Sequence, residues 1–531
     1  MQLSFYGADK EVTGSCHCVS ACGKKILIDC GLHQGMGEEN NKAFPFDASK
    51  IDCVIVTHAH IDHSGRLPQL VKQGFRGKIY ATGATCDLLS IMLLDSAHIQ
   101  EMDAVYANRK GKRAGLAPVE PLYTVEDAQN TLQFLVPCVY GEKNRLCTGI
   151  EFSMVDAGHL LGSASVEMWI TEKGKTQKVV FSGDIGNLNQ PIIRDPQYIK
   201  EADYVIMEST YGNREHDPIV NYVPQLAKVF DETFAAGGNV VIPSFAVGRT
   251  QELLYFIREM KERELVKSLP DFPVYVDSPL AAKATQIYGG DLGGYADEET
   301  VRVIKNGFRP LDFSNLHICE SVEESMALNR DPSPKIIISS SGMCEAGRIR
   351  HHLKHNLWRK ECSIVFVGYQ AEGTLGRMLI DGVKEVKLFG EEIKVQAEIH
   401  NFKALSGHAD RKGLLRWISS FTQNPRRVFV VHGEHDICED FTYGLGELGY
   451  NAYAPDFGAV FDMESNKVLN EGMPFKRRLK KTAQRYSSSF VRLQEAGKRL
   501  LLTIQHNEGG ANKDISKFAE QINALCEKWD R

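Results

Sequence analysis

Thr57-His58-Ala59-His60-Ile61-Asp62-His63 decides the fold, and it directly follows the β-branched run at 54–56. The stretch places four metal-binding side chains within six positions, immediately after a predicted strand. Two imidazoles two residues apart on an extended turn can face one metal ion, while the carboxylate and imidazole that follow turn to a second. Such a density of ligands rarely arises by chance. The stretch therefore predicts a hydrolytic zinc site.

Three further ligand candidates follow other predicted strands. They are His159 after Asp156-Ala157-Gly158, Asp184 after Phe181-Ser182-Gly183, and His432 between Val431 and Gly433. Each alone is a weak signal, because a lone histidine is more often a core or surface residue. Together with the first stretch they give seven ligands, enough for two metal ions that share a carboxylate.

The alternation of short apolar runs and turns predicts the elements of the N-terminal part. β-Branched runs that end in polar residues or glycine predict strands at 26–29, 54–57, 78–81, 179–182 and 204–207. An apolar stripe predicts a helix over 84–106. The basic run at 109–113 predicts an exposed loop after this helix.

The pattern changes after Tyr211 to strand-then-helix units. A strand at 239–243 precedes a helix at 249–260, and a strand at 335–338 precedes a helix at 345–358. This order is typical of a parallel α/β sheet. Short strands resume after 390 and end at 428–434. The tail after 466 is helical in pattern and carries a basic run, Lys476, Arg477, Arg478, Lys480 and Lys481.

Bulk composition narrows the class of protein. At 531 residues the chain is too long for one ordinary core, so several domains are expected. The net charge of −6 argues against a surface that coats nucleic acid generally, although a local basic groove remains compatible with it. The chain shows no secretion signal and no apolar stretch of the ~20 residues that span a bilayer. Thirteen irregularly spaced cysteines predict free thiols and a cytoplasmic location. The cluster at 16, 18 and 22 is interpreted as small buried residues.

The ligand series resembles the five motifs of the metallo-β-lactamase fold. The resemblance implies one zinc ion on His58, His60 and His159, and a second on Asp62, His63 and His432. It also implies that Asp184 bridges the two ions. Asp29 would support the ligands through hydrogen bonds, a role that orients imidazoles.

The large segment between Glu208 and the last histidine resembles the β-CASP domain of nucleic-acid-processing enzymes. Glu208 in Met-Glu-Ser-Thr-Tyr-Gly, His408 in Ser-Gly-His-Ala-Asp and His432 in Val-His-Gly-Glu match its motifs A, B and C. The stretches 245–249, 339–343 and 372–377 fit as well. We therefore expect an α/β protein, a metallo-β-lactamase αββα sandwich with an inserted α/β β-CASP domain. The expected boundaries are 1–209 and 386–465 for the sandwich, 210–385 for the insertion and 466–531 for a helical, basic extension.

This resemblance implies a zinc-dependent ribonuclease that uses a two-metal mechanism. A histidine at motif C accompanies RNA substrates in the family, whereas DNA-repair members carry an aliphatic residue there. The catalytic residues would be Asp62, Asp184, Glu208 and His408. A carboxylate beside an imidazole keeps the imidazole protonated, so Glu208 and His408 are candidates for the acid that protonates the departing ribose oxygen. Their alternative role is a structural hydrogen bond between domains.

Binding of the RNA phosphate groups needs hydrogen-bond donors without bulk. The candidates for these donors are Arg249, Ser339, Ser340, Ser341 and Ser406, and Arg66 belongs to the same set. Each could equally be a helix cap or a solvated charge.

Two other classes of protein stay open. A non-catalytic β-CASP scaffold would have lost ligands, and a metallohydrolase of the same fold acting on DNA or a small molecule would differ in the inserted segment. The chain resembles compact bacterial and archaeal relatives of the pre-mRNA 3′-end endonuclease, and bacterial ribonuclease J enzymes share its catalytic series. The sequence leaves open endonuclease against 5′ exonuclease action, and a homodimer.

Overall fold

The computed structural model of the chain describes residues 1–113, 115–216, 222–368, 370–371, 373–402, 406–475, 500, 503–504, 507 and 512–529. It divides into two compact units, Met1–Phe475 and Lys476–Arg531. Within the described part, no helix combines the length and apolar character needed to cross a membrane.

The first sheet has eight strands and contains the strand that leads to the ligand-rich stretch. In spatial order the strands are Lys467–Asn470, Val460–Asp462, Gln2–Phe5, His17–Ala21, Lys24–Ile28, Cys53–Ile55, Lys78–Thr82 and Leu135–Cys138. The predicted strands at 26–29, 54–57 and 78–81 are therefore confirmed. Their β-branched residues are buried on both faces, as expected of strands covered on each side.

The second sheet has seven strands and lies against the first. In order they are Ala452–Tyr453, Arg427–Val431, Tyr204–Glu208, Lys175–Phe181, Ala164–Glu172, Ile150–Asp156 and Asn144–Cys147. Side chains from both sheets share one core, for example Leu3 and Phe5 from the first and Phe152 and Val166 from the second. The two sheets form the inner layers of a sandwich.

Helices cover the outer face of each sheet. The helices of the first sheet are Ile61–Ser64, Leu67–Lys72, Gly83–Arg113 and Val125–Thr131, with short 3-10 turns at Gly35–Lys42, Ala48–Lys50 and Leu132–Phe134. Arg411–Ile418 and His435–Glu447 cover the second, burying Leu414, Trp417 and Phe441. The αββα order agrees with the expected fold class.

A third, parallel sheet lies in the inserted segment. Its order is Leu316–Ile318, Val274–Val276, Ile336–Ser339, Val240–Pro243, Ser363–Phe366 and Glu398–Asn401. A separate hairpin pairs Glu385–Leu388 with Glu391–Lys394. The helices of this segment are Tyr222–Ala235, Arg249–Glu262, Pro279–Tyr288, Glu298–Lys305, Val322–Arg330, Ile349–Asn356 and Leu375–Ile380. The strand-then-helix pattern thus folds as predicted.

Three details differ from the sequence-based expectations. Residues 109–113 continue the helix Gly83–Arg113 instead of forming a loop, because Lys and Arg are good helix formers and suit a helix C-terminus. Glu398–Asn401 pairs with Ser363–Phe366, so the inserted sheet extends past the expected boundary at 385. Lys467–Asn470 is a strand paired with Val460–Asp462, so the chain is not helical directly after 466.

The C-terminal unit contains the helix Asn512–Trp529. The basic run that begins at Lys476 lies outside the described residues.

Candidate metal centre and active site

The predicted ligands meet at one edge of the sandwich. Four strands of the second sheet run in the same direction and end at this edge: Ile150–Asp156, Lys175–Phe181, Tyr204–Glu208 and Arg427–Val431. The ligand stretch of the first sheet lies at the same edge. The segments and the strands before them are 57–63 after Cys53–Ile55, 157–163 after Ile150–Asp156, 182–184 after Lys175–Phe181, and 432–434 after Arg427–Val431. The turn at 57–63 ends in the short helix Ile61–Ser64, which places Asp62 and His63 beyond His58 and His60.

One group of donors comprises His58, His60, His159 and Asp184. Nε2 of His58 lies 3.1 Å from Nδ1 of His60, and Nε2 of His159 lies 3.3 Å from the same atom. Oδ2 of Asp184 is 3.5 Å from Nε2 of both His58 and His159. Four donor atoms thus surround one point.

A second group comprises Asp62, His63 and His432. The Nε2 atoms of His63 and His432 lie 3.1 Å apart, and Oδ2 of Asp62 is 3.6 Å from Nε2 of His432. Oδ1 of Asp184 is 3.2 Å from Nε2 of His63. Asp184 therefore directs one carboxylate oxygen towards each group.

The donor chemistry fits divalent cations. Imidazole nitrogens at these separations face each other lone pair to lone pair unless a proton or a cation lies between them. Oδ1 of Asp184 is buried, and its 3.2 Å contact with Nε2 of His63 lacks hydrogen-bond geometry. Among the described residues no hydrogen bond satisfies this oxygen, which is costly for a carboxylate. Neutral imidazoles with a carboxylate are the usual ligands of a hydrolytic zinc site.

The pKa values of ligands in both groups agree with a metal-binding site. Burial lowers the pKa values of His58 and His159 well below the usual range of histidine, so both rings are neutral and able to bind metal. Burial opposes ionisation of Asp62, but the neighbouring rings of His432 and His63 outweigh it and lower the pKa of Asp62 to about 2.

His63 behaves differently from the other rings. Burial disfavours its charged form, but the carboxylates of Asp184 and Asp29 outweigh burial and raise the pKa of His63 well above its usual value. The ring of His63 is therefore protonated in the metal-free chain. A cation bound there would compete with that proton, since only the neutral ring is a ligand.

Asp29 makes hydrogen bonds to the ligand stretch. Its Oδ2 accepts a hydrogen bond from Nδ1 of His63 at 2.7 Å, and its Oδ1 accepts one from the main-chain N–H of Thr57 at 2.8 Å. The hydroxyl of Ser15 also donates to Asp29 at 3.1 Å. These contacts fix the ring of His63 with Nε2 towards the second group.

Glu208 and His408 form a pair beside the bridging carboxylate. Nδ1 of His408 donates to Oε2 of Glu208 at 3.0 Å and lies 3.8 Å from Oδ2 of Asp184. Glu208 is fully buried and also accepts from the main-chain N–H of Ile185 and the hydroxyl of Thr210. These donors fix the orientation of the carboxylate towards the ring of His408.

The charge of His408 follows from these neighbours. Burial disfavours the imidazolium, but the carboxylates of Glu208 and Asp184 outweigh burial and raise the pKa of His408 to about 10. The ring is partly exposed, and among the described residues its Nε2 has no hydrogen-bond partner. His408 is therefore a protonated donor beside the metal-binding groups.

Comparison with protein families gives three matches along the chain. Residues 10–93 match the metallo-β-lactamase superfamily, residues 250–379 the Beta-Casp domain, and residues 392–455 the Zn-dependent metallo-hydrolase RNA specificity domain. The chain is 38% identical to Ribonuclease TTHA0252 of Thermus thermophilus over 84% of its own length and 96% of that protein. It belongs to the β-CASP family of metallo-β-lactamase-fold hydrolases.

Other relatives of this β-CASP protein are archaeal. Transcription termination factor FttA of Methanosarcina mazei is 32% identical over 88% of this chain and 72% of its own length. FttA of Pyrococcus abyssi is 31% identical over 86% and 70%. A solved structure of a protein of unknown function from Enterococcus faecalis V583 covers 88% of this chain and 99% of its own, with a TM-score of 0.50 and 14% identity, which shows the fold alone.

The phosphate-binding candidates of this β-CASP protein fall into two sets. Ser406 lies in the loop of His408, and its hydroxyl accepts a hydrogen bond from the main-chain N–H of His408 at 3.4 Å. The others engage protein groups: Arg249 pairs with Glu252, and the hydroxyl of Ser339 is buried and donates to the main-chain carbonyl of Asp277. The structure thus places Ser406 beside His408, and a phosphate role stays a prediction for Ser406 as for the other residues.

The remaining candidate serines and Arg66 also have partners in the protein. Ser340 donates to the hydroxyl of Ser278 at 2.9 Å, and the hydroxyl of Ser341 accepts from the main-chain N–H of Glu345 at 3.2 Å. Arg66 is buried, donates to Gln69, and stacks on an aromatic ring. Its geometry favours a structural role over contact with substrate.

Sequence reasoning missed residues that hold the ligands in place. The hydroxyl of Thr57 lies 3.2 Å from Nδ1 of His58, and the hydroxyl of Thr210 lies 3.1 Å from Nδ1 of His432. The carbonyl of Gly407 accepts from Nδ1 of His159 at 3.0 Å. Both threonines adjoin residues that the sequence singled out, which is a usable signal; a main-chain carbonyl leaves none.

Proposed function

We propose that the chain is a ribonuclease that binds two zinc ions and hydrolyses phosphodiester bonds of RNA. One observation carries the proposal: the carboxylate of Asp184 directs its two oxygens to two separate donor groups, beside a protonated histidine. Two metals about 3.5–4 Å apart are the arrangement that hydrolytic two-metal sites share.

Each donor group would hold one zinc ion. The first would use His58, His60 and His159, the second Asp62, His63 and His432, with Asp184 shared. When bound, the ions supply an attacking nucleophile from water at neutral pH and neutralise charge on the phosphodiester. The chain itself keeps the donors in their binding forms: neutral rings in the first group and ionised carboxylates at Asp62 and Asp184.

Glu208 and His408 would supply the proton for the departing ribose oxygen. Glu208 fixes the ring through Nδ1, so the outward Nε2 carries the proton that is transferred. A positioned acid of this kind contributes about 10²–10⁴-fold to a rate. The hydroxyl of Ser406, in the same loop, would bind a phosphate oxygen next to the scissile bond.

RNA is the substrate that the relatives favour. The matched domain over residues 392–455, whose name specifies RNA, contains both His408 and His432. A relative that this chain covers almost end to end is named a ribonuclease. Since the thirteen cysteines are free thiols, we also propose that the chain acts in a reducing compartment, the cytoplasm.

The test measures metal content and substrate together. We expect about two zinc ions per chain, cleavage of labelled RNA, and no cleavage of DNA of the same sequence. A chain that holds no zinc and leaves RNA intact would contradict the proposal and favour a scaffold. Cleavage of DNA but not RNA would reassign the substrate. Circular RNA separates the two modes of action, because only an endonuclease opens it.

A further inference from the structure

We propose that His216 is a positioning residue, which holds the loop carrying His408 so that the proton on His408 reaches the substrate. The inference rests on the proposed function, because a fixed loop affects turnover only if His408 acts as an acid. His216 belongs to neither donor group and lies outside the predicted site residues.

His216 makes two hydrogen bonds to this loop. Its Nε2 lies 2.9 Å from the main-chain carbonyl oxygen of His408, and its main-chain N–H donates to Oδ2 of Asp410 at 3.0 Å. A carbonyl oxygen can only accept, so the ring of His216 must carry its proton on Nε2. Asp410 in turn accepts from the N–H of Gly413 and caps the helix Arg411–Ile418.

The segment before His216 is bound to the same loop at further points. The main-chain N–H of Arg411 donates to the carbonyl of Arg214 at 3.0 Å. The guanidinium of Arg411 donates to the carbonyl of Gly212 at 2.5 Å. The ring of Tyr211 meets His216 edge-on at 4.9 Å and His408 at 5.9 Å. Residues 211–216, which begin at the end of the motif A stretch, thus form a strap that is bound to the loop of His408.

The loop is also bound to the segment that follows the strand Lys175–Phe181. The main-chain N–H of Ala409 donates to the carbonyl of Ile185 at 2.7 Å, and the N–H of Asn187 donates to the carbonyl of Gly407 at 3.1 Å. Main-chain bonds therefore hold the loop on both sides of His408, and the His216 side chain bonds to the main-chain carbonyl of His408.

His216 has little packing of its own. It is half-buried and lines two cavities of about 280 Å³ and 440 Å³, so its ring is ordered by hydrogen bonds more than by a core. Removing the Nε2 donor frees the carbonyl of His408 without opening a hole in a packed region. A displacement of about 1 Å at a reacting group can cost on the order of 10²-fold in rate.

The test compares two substitutions at one position. His216→Phe keeps a ring but removes the donor, whereas His216→Gln keeps an N–H that can reach the same carbonyl. We expect His216→Phe to lower kcat by roughly 10–100-fold with KM and zinc content unchanged. His216→Gln should recover most of kcat. His317→Phe, at an exposed histidine stacked on Tyr275, is the matched control and should leave kcat unchanged.

A readout independent of activity separates the two proposals. Hydrogen exchange of the amides at 407–410 should accelerate about 10-fold in His216→Phe and stay near wild type in His216→Gln. If the wild-type protein cleaves no RNA but exchange still accelerates, the proposed function fails while the positioning contact stands. Wild-type kcat in His216→Phe, equal losses in both variants, or loss of zinc from either would overturn the inference.

Discussion

Asp184 is the side chain on which the two donor groups depend. Its substitution by Asn replaces one anionic oxygen by an amide nitrogen, which cannot bind a cation. We predict that Asp184→Asn abolishes RNA cleavage and lowers the zinc content to one ion per chain or less, measured by emission spectroscopy and labelled RNA. Near-normal turnover would refute the bridging role. Asp312→Asn, in an exposed ion pair with Arg309, is the matched control.

Glu208 controls the proton of His408, and its effect has a definite sign. The carboxylate of Glu208 raises the pKa of His408, so Glu208→Gln lowers that pKa. A general acid works while protonated, and its activity is lost as pH rises through its pKa. We predict that the alkaline limb of the kcat profile moves to lower pH in Glu208→Gln, with zinc retained. An unmoved limb would assign the pair a structural role.

His408 itself gives the companion measurement. His408→Ala should retain both zinc ions and lower kcat by on the order of 10²-fold or more, as removal of a general acid does. The pH profile of its residual kcat should lack the alkaline limb, whereas in Glu208→Gln the limb is only shifted. If zinc is lost from His408→Ala, the residue acts as a ligand and its assignment as the acid is wrong.

At the scale of elements, the strand Lys467–Asn470 is the last strand of the first unit, which ends at Phe475. It pairs with Val460–Asp462. The residues after the strand also contact this unit: the main-chain N–H of Met473 donates to the carbonyl of Phe457, and the ring of Phe475 stacks on His435. We predict that a chain ending at 475 keeps the wild-type melting temperature of this unit. A chain ending at 465 loses the edge strand and about 2 kcal/mol of ladder hydrogen bonds.

Calorimetry distinguishes the two truncations. The loss at 465 should lower Tm by roughly 2 °C, while the chain ending at 475 serves as the matched control. Equal melting temperatures would mean that the edge strand contributes nothing to the first unit. A lowered Tm in both would mean that the first unit extends beyond Phe475.

Elements were predictable where local pattern alone decides them. The strand at 54–57 and the helix after 249 follow from β-branched runs and apolar spacing, and both form. The strand Glu398–Asn401 is different, because its pairing partner Ser363–Phe366 is distant in sequence. Its charged and amide residues carry little strand propensity, so only tertiary pairing defines it.

At the scale of the whole molecule, the sequence predicted which residues could meet but not how they are held. Ligand types after strands implied one edge of the sandwich, and the structure brings the ligand atoms of each group within 4.8 Å of one another. The support by the carbonyl of Gly407 and the strap at 211–216 depends on main-chain positions from distant segments. Side-chain identity carries no record of such contacts.

The donor groups also join the two sheets, which links metal binding to stability. His58 and His63 follow a strand of the first sheet, whereas Asp184 and His432 follow strands of the second. An ion bound to both sets stabilises only the folded chain, by about 2.7 kcal/mol when free metal is a hundred times its Kd. We predict that chelation lowers Tm by at least roughly 3 °C and that added zinc restores it. Asp184→Asn, which lacks the shared ligand, should show a smaller shift; an equal shift would place the stabilising metal elsewhere.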